Sequence, residues 1–165
     1  MRITIEPACL RDASFVMANM RPLDAQEVFC QVPEGIKVHE MAHWLVMGSD
    51  AYVAYYDGRP SAVFGTSPIN VVCLSVWALG TKRMRRCAQA ITRFMREEAM
   101  PRRVEEGYLS MEARSLVAHT EAHNWMLATG AVVHGPDFVY GRGGELFRLF
   151  RWTADILAKE KPDHD

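Results

Sequence analysis

Two stretches of the chain combine residue types and spacing that could do chemistry. The first, His39-Glu40-Met41-Ala42-His43, fits the pattern H-E-x-x-H. On a helix this spacing sets two imidazoles on one face, where they can bind zinc while the glutamate acts as base toward a metal-held water. A catalytic zinc needs a third protein ligand, and the residues that follow read as a strand and hairpin with no glutamate-bearing helix at a suitable interval. The other reading is an amphipathic helix with Val38, Met41 and Leu45 packed inward. A zinc peptidase therefore stands as the remote alternative, and no metal ligands are assigned.

The second stretch is Val76-Trp77-Ala78-Leu79-Gly80-Thr81-Lys82-Arg83, with Arg85 and Arg86 just beyond. An apolar run passes through a glycine into a helix. The first turn of a helix offers free N–H groups and the positive end of a dipole, and four basic side chains lie in or beside it. This combination suits a pyrophosphate. A plain strand-to-helix turn with a solvated basic face explains the same residues. Binding of nucleic acid through these cations and Arg93, Arg96, Arg102 and Arg103 is disfavoured, because Glu97, Glu98, Glu105 and Glu106 offset them.

The elements that would position these residues follow from periodicity. Residues 2–6 alternate as a strand. Asp12 opens a helix striped by Phe15, Val16 and Met20, which Pro22 ends. Asp24 and Glu27 resemble a capping box starting a second helix. Residues 36–47 form a third, stopped by Gly48. A strand over 51–56 meets its return strand, 61–65, at the hairpin signal Asp57-Gly58. Residues 71–79 read as a strand buried on both faces. A long helix follows, with Met84, Cys87, Ala88, Ile91, Phe94 and Met95 at three-to-four spacing and Pro101 at its end. Then come a strand over 108–113, a helix over 119–129 closed by Gly130, and strands over 131–134 and 145–152 joined by a turn at 141–144. The order predicts an α/β (α+β) domain with a mixed sheet over residues 1–152 and a partly disordered tail over 153–165.

The totals narrow the function. The chain has 165 residues and a formal net charge of −1, which gives no bulk attraction to nucleic acid or anionic membranes. No apolar run reaches the roughly 20 residues that span a bilayer. Cys9, Cys30, Cys73 and Cys87 form no C-x-x-C pair and read as reduced, mostly buried thiols. Ten methionines serve as core filler or as an adaptable interaction surface.

The ordered series strand–turn–helix, strand, helix and Gly130 resembles the central part of the GNAT superfamily of acyl-CoA N-acyltransferases. Ala122 and Gly130 match the small residue and the closing glycine of that family's fourth helix. Four stretches resemble, more narrowly, the acyltransferase-like and internal virion proteins of short-tailed phages: R-P-L-D-A-Q-E-V from residue 21, D-G-R-P-S-A-V-F-G from 57, W-A-L-G-T from 77 and G-E-L-F-R-L-F from 144. The resemblance implies acetyl-CoA as cosubstrate, with its pyrophosphate at Trp77, Ala78, Leu79, Gly80, Thr81, Lys82, Arg83, Arg85 and Arg86. It also implies a base for the acceptor amine, for which Glu112 and His119 are the candidates. Three positions depart from the family. The phosphate turn has a single glycine, His119 stands in place of a frequent Asn, and Met126 replaces a Tyr that would reprotonate the thiolate.

Two functions of different class follow. One is an N-acetyltransferase acting on an amine of a protein or small molecule in the cytoplasm of an infected host cell. The other is a GNAT-fold phage protein without the reaction, working in the virion or its assembly through a phage or host protein partner or a second copy of itself.

Overall fold

The structure, a computed structural model, describes residues 2–158, the last two by backbone only. Strand β1 (Ile3–Pro7) leads into helices α1 (Leu10–Ala18), α2 (Pro22–Phe29) and α3 (Val38–Met47). Strands β2 (Asp50–Tyr56), β3 (Arg59–Pro68) and β4 (Cys73–Gly80) form an antiparallel meander. Helix α4 (Met84–Phe94), a π-helical turn (Met95–Ala99) and α5 (Met100–Glu105) precede β5 (Ser110–Leu116). Helix α6 (Thr120–Ala128), short strands β6 (Val132–Val133) and β7 (Phe138–Val139), strand β8 (Leu146–Thr153) and helix α7 (Ala154–Ala158) complete the order.

One sheet runs β1-β2-β3-β4-β5-β8-β6, with β7 also on β8. β4 and β5 are its one parallel pair among the described strands. The chain turns from β2 to β3 at Asp57 and Gly58, both at positive φ (48° and 74°), the geometry that matches hairpin twist. Successive residues of the central strands face opposite layers. Val53 and Val63 pack with α1 and α3 through Val16, Met17 and Met41. Ala54, Ala62 and Phe64 pack with α4 and α6 through Cys87, Ile91 and Met126. Six methionines are buried in these layers, so most of the ten are core filler.

Four expectations need correction. Residues 71–72 are not strand, and Val71 is 90% exposed; the apolar run begins in a turn where Asn70 Oδ1 accepts the Val72 and Cys73 N–H groups. Pro22 does not end α1, which already stops at Ala18, but begins α2, where a missing N–H costs nothing. Pro101 does not end the long helix. Met100 N–H reaches back to Met95 O, and the widened π turn gives room to a proline ring that would strike the carbonyl in a regular helix. The expected tail starts as regular structure, because Thr153 ends β8 and Ala154 N–H donates to Leu109 O at 3.0 Å. The remainder of that tail, 159–165, lies outside the described residues. No helix among the described residues is long and apolar enough to cross a membrane.

Candidate functional site

The parallel pair defines the site by coming apart. β4 and β5 pair only from Cys73 with Ser110 to Ser75 with Glu112. Beyond that, β4 stays on β3 as far as Gly80, and β5 stays on β8 as far as Leu116. The sheet therefore opens as a wedge, and a cavity of about 400 Å³ lies there. Backbone groups on the inner edges, Val76 to Leu79 and Ala113 to Ser115, lose their ladder partners where the strands part.

Helix α2 bridges the wide end of the wedge with two carboxylates. Asp24 Oδ2 accepts the Gly80 N–H at 2.8 Å, and Glu27 Oε2 accepts the Leu116 N–H at 2.7 Å and the Ser115 hydroxyl at 2.9 Å. His119 stands between them, Nε2 3.3 Å from Asp24 and Nδ1 3.3 Å from Glu27. Residues at i and i+3 share a helix face, which is how one helix reaches both strand ends. The capping-box reading of Asp24 and Glu27 is thus incorrect. Arg21 is the N-cap, no side chain caps the helix, and the Arg21 guanidinium grips Asp24 through Nε at 3.0 Å and Nη2 at 2.9 Å.

The opposite wall is clasped in the same way. Arg85 on α4 makes a two-point contact with Glu121 on α6, at 3.0 and 3.2 Å, and Arg21 Nη1 lies 3.4 Å from the same carboxylate. The Arg85 hydrogen bond, with Arg21 beside it, holds the Glu121 carboxyl below its usual range. Charge thus runs continuously from Arg85 to Glu27 around the rim.

The residues singled out for a pyrophosphate fall into four groups. Trp77, Ala78, Leu79 and Arg85 line the cavity. Gly80 and Thr81 follow Leu79 outside that lining, and their backbone is engaged. Gly80 N–H is held by Asp24, Thr81 N–H and Oγ1 both donate to Ser61 O (2.9 and 3.1 Å), and Thr81 Oγ1 accepts the Arg83 N–H at 3.1 Å. An anion at this turn would meet the exposed side chains of Lys82 and Arg83 and the N-terminus of α4, not a bare backbone cradle at Gly80. Arg86 is drawn away to β2, with Nη1 3.2 Å from Tyr56 Oη.

Of the two candidate bases, His119 lines the cavity and Glu112 does not. Glu112 is buried, with Arg114 Nη2 at 2.6 Å and Arg151 Nη2 at 3.1 Å on its two oxygens. Asp24 and Glu27 were not singled out as site residues; their signal in the sequence was an acidic pair spaced for one helix face. Met126 is buried at the cavity wall. His39 and His43 lie exposed on α3, and Glu40 is used to cap that helix through the Lys37 N–H at 3.2 Å. No group of three His, Cys, Asp or Glu among the described residues could hold a metal ion.

No protein-family model and no curated protein matches the sequence. Solved structures do. A GNAT-family acetyltransferase from Chromobacterium violaceum superposes with a TM-score of 0.69 at 12% identity, covering 94% of this chain and 90% of that one. A Salmonella typhimurium protein solved with its cofactor acetyl-CoA gives 0.65 at 12% identity, covering 99% of each chain. The ribosomal-protein alanine N-acetyltransferase of Escherichia coli gives 0.63 at 10% identity, covering 92% and 94%. The chain has the fold of the GNAT acetyltransferases, a mixed α/β architecture with a mostly antiparallel open sheet.

Proposed function

We propose that the chain is an N-acetyltransferase that takes acetyl-CoA as cosubstrate and acetylates an amine. The observation that carries this is the wedge between β4 and β5, with an unpaired strand edge at Val76–Leu79 leading to a basic helix N-terminus. Such an edge accepts an extended chain of amides as an added strand, which is the chemistry of a pantetheine arm. Lys82 and Arg83, beside the first turn of α4, suit its phosphates. When bound, acetyl-CoA supplies an acyl thioester open to attack by an amine.

The chain's own groups must then move protons. An ammonium has to lose one before it can attack. Glu27 and His119 line the cavity and are hydrogen-bonded to each other, so the geometry favours this pair as the proton acceptor. Glu112, enclosed by two arginines outside the cavity, is disfavoured. Met126 cannot donate a proton to the departing thiolate, which leaves that step to water.

The likeness of four sequence stretches to short-tailed phage proteins supports action in an infected host cell. Two observations favour a second reading, in which a phage protein keeps the fold for contacts in virion structure or assembly. Asp24 already occupies the Gly80 N–H, and Met126 stands where a proton donor is wanted.

Calorimetric titration with acetyl-CoA separates the readings, with Arg83→Glu as control. Micromolar binding that the variant loses supports the acetyltransferase. No heat at millimolar ligand refutes it and leaves the contact role.

A further inference from the structure

We infer, resting on the acetyltransferase reading, that the acceptor is a primary amine on an apolar skeleton, with its nitrogen received by Glu27. The ionisable Arg, His and Glu side chains facing the cavity are Arg21, Arg85, Arg114, Glu121, His119 and Glu27. Arg21 is spent on Asp24 and Glu121, Arg85 on Glu121, and Arg114 on Glu112. His119 is shared between Asp24 and Glu27. Glu27 Oε2 holds three groups. Its other oxygen, Oε1, has no hydrogen bond among the described residues.

The unmet electrostatic demand of the cavity is therefore for a cation, and it sits at a fixed point. Ser115, Leu116 and His119 together lock the Glu27 carboxylate against β5, so Oε1 has little freedom to turn away. An ammonium there gains a charge-assisted hydrogen bond. The proton it gives up passes to Oε1 and from there to solvent, which leaves the nitrogen lone pair free.

Around Glu27 the side of the cavity toward α3 is apolar apart from Gln31. Val28 follows it on α2 and Val32 just beyond that helix, and Met41, Trp44 and Leu45 line the cavity from α3. Trp44 is 58% exposed, so this wall extends to the surface and can meet a substrate as it enters. The combination discriminates. An acceptor carrying a carboxylate or phosphate finds every cavity cation already paired. A polyamine finds no free carboxylate for its second ammonium, and a polyhydroxylated amine loses water against Met41 and Leu45 without replacement. A hydrophobic skeleton with one amine satisfies both the wall and Glu27. Arylalkylamines and the hydrophobic N-terminus of a peptide share this chemistry.

The test uses the whole chain with 2-phenylethylamine, the peptide Met-Leu-Phe-amide, spermidine and glutamate. Binding is read by calorimetry with CoA present, and transfer by release of the CoA thiol. The apolar amines are expected to bind and to be acetylated with kcat/KM about tenfold or more above spermidine and glutamate. Whichever of the two apolar amines is favoured identifies the source. Trp44→Ala, a change at an exposed position that the fold tolerates, is expected to raise KM for 2-phenylethylamine several-fold without a matching fall in acetyl-CoA affinity. Preference for spermidine or glutamate, or indifference to Trp44→Ala, overturns the inference. Acetyl-CoA binding with no response to the apolar amines sinks the inference alone. Absence of acetyl-CoA binding sinks the acetyltransferase reading, and the acceptor with it.

Discussion

Asp24 accepts the backbone N–H of Gly80 across 56 positions of sequence, at 2.8 Å, while Arg21 holds both its oxygens. The carboxylate is 1% exposed. It fixes α2 to the last residue of β4 and so sets the width of the wedge. Asp24→Ala leaves a guanidinium, an amide and the His119 ring without their acceptor in a buried place. Truncating one partner of a buried ion pair costs about 3–5 kcal/mol. Urea denaturation of Asp24→Ala should show a loss in that range, with Asp24→Asn closer to the parent because one oxygen remains. A loss under about 1 kcal/mol would mean that water replaces the carboxylate.

Gly80 is confined by its neighbour four residues on. A Cβ there would lie 2.3 Å from Met84 Sδ and 2.4 Å from Met84 Cβ. The sulfur can swing aside, but Cβ moves only with the helix, so Gly80→Ala must displace the first turn of α4. Overpacking of this kind costs about 1–3 kcal/mol. The displaced turn carries Arg85, with Lys82 and Arg83 just ahead of it. Calorimetry is therefore expected to show weaker acetyl-CoA binding in Gly80→Ala, beyond what the stability loss accounts for. Unchanged affinity would place the phosphates elsewhere.

Much of this was legible in residue order, and the failures have physical causes. The Asp57-Gly58 hairpin and the 84–95 helix stripe fixed two central features, because turn chemistry and a 3.6-residue period are local signals. Trp77, Ala78, Leu79, Arg85 and His119 were singled out and do share one cavity. The role of Asp24 and Glu27 was hidden because their partners, Gly80 and Leu116, are brought near only by the tertiary fold. Glu112 was singled out for its strand, but its exclusion depends on Arg151, which comes from another strand of the sheet. Pro101 misled because a π turn, which frees the ring, has no sequence pattern of its own.

Asp12 provides an acid-sensitive anchor for α1. Its carboxylate accepts from Arg11 Nε at 2.9 Å and from Tyr55 Oη at 2.6 Å. The Arg11 hydrogen bond chiefly, and Tyr55 after it, hold the carboxyl down to about 2, below its ordinary 3.8. A folded value below the unfolded one stabilises the fold above pH 3.8, and the contribution is lost as pH falls through about 2. Arg11 is 87% exposed, so solvent screens its share, and the whole amounts to about 1–2 kcal/mol. Tyr55→Phe should cost about 1 kcal/mol at neutral pH, and the difference from the parent should shrink in denaturation curves taken toward pH 2. A penalty that stays constant with pH would assign the loss to packing.

Arg85 is held by Glu121 where the proposed site would need it for phosphate. The two-point clasp joins α4 to α6, and Glu121 is 47% exposed. A pyrophosphate arriving at the α4 N-terminus must compete with that carboxylate for the guanidinium and is repelled by its charge. Glu121→Gln removes the charge and keeps a hydrogen-bond acceptor, so Arg85 and Arg21 retain a partner while the repulsion disappears. Acetyl-CoA should bind several-fold more tightly to this variant at low ionic strength. The gain should fade as salt approaches about 1 M, where screening acts within about 3 Å. Calorimetry at the two salt levels checks both halves of the expectation. Weaker binding in Glu121→Gln would mean that the clasp shapes the cavity wall, with Lys82 and Arg83 alone left to face the phosphates.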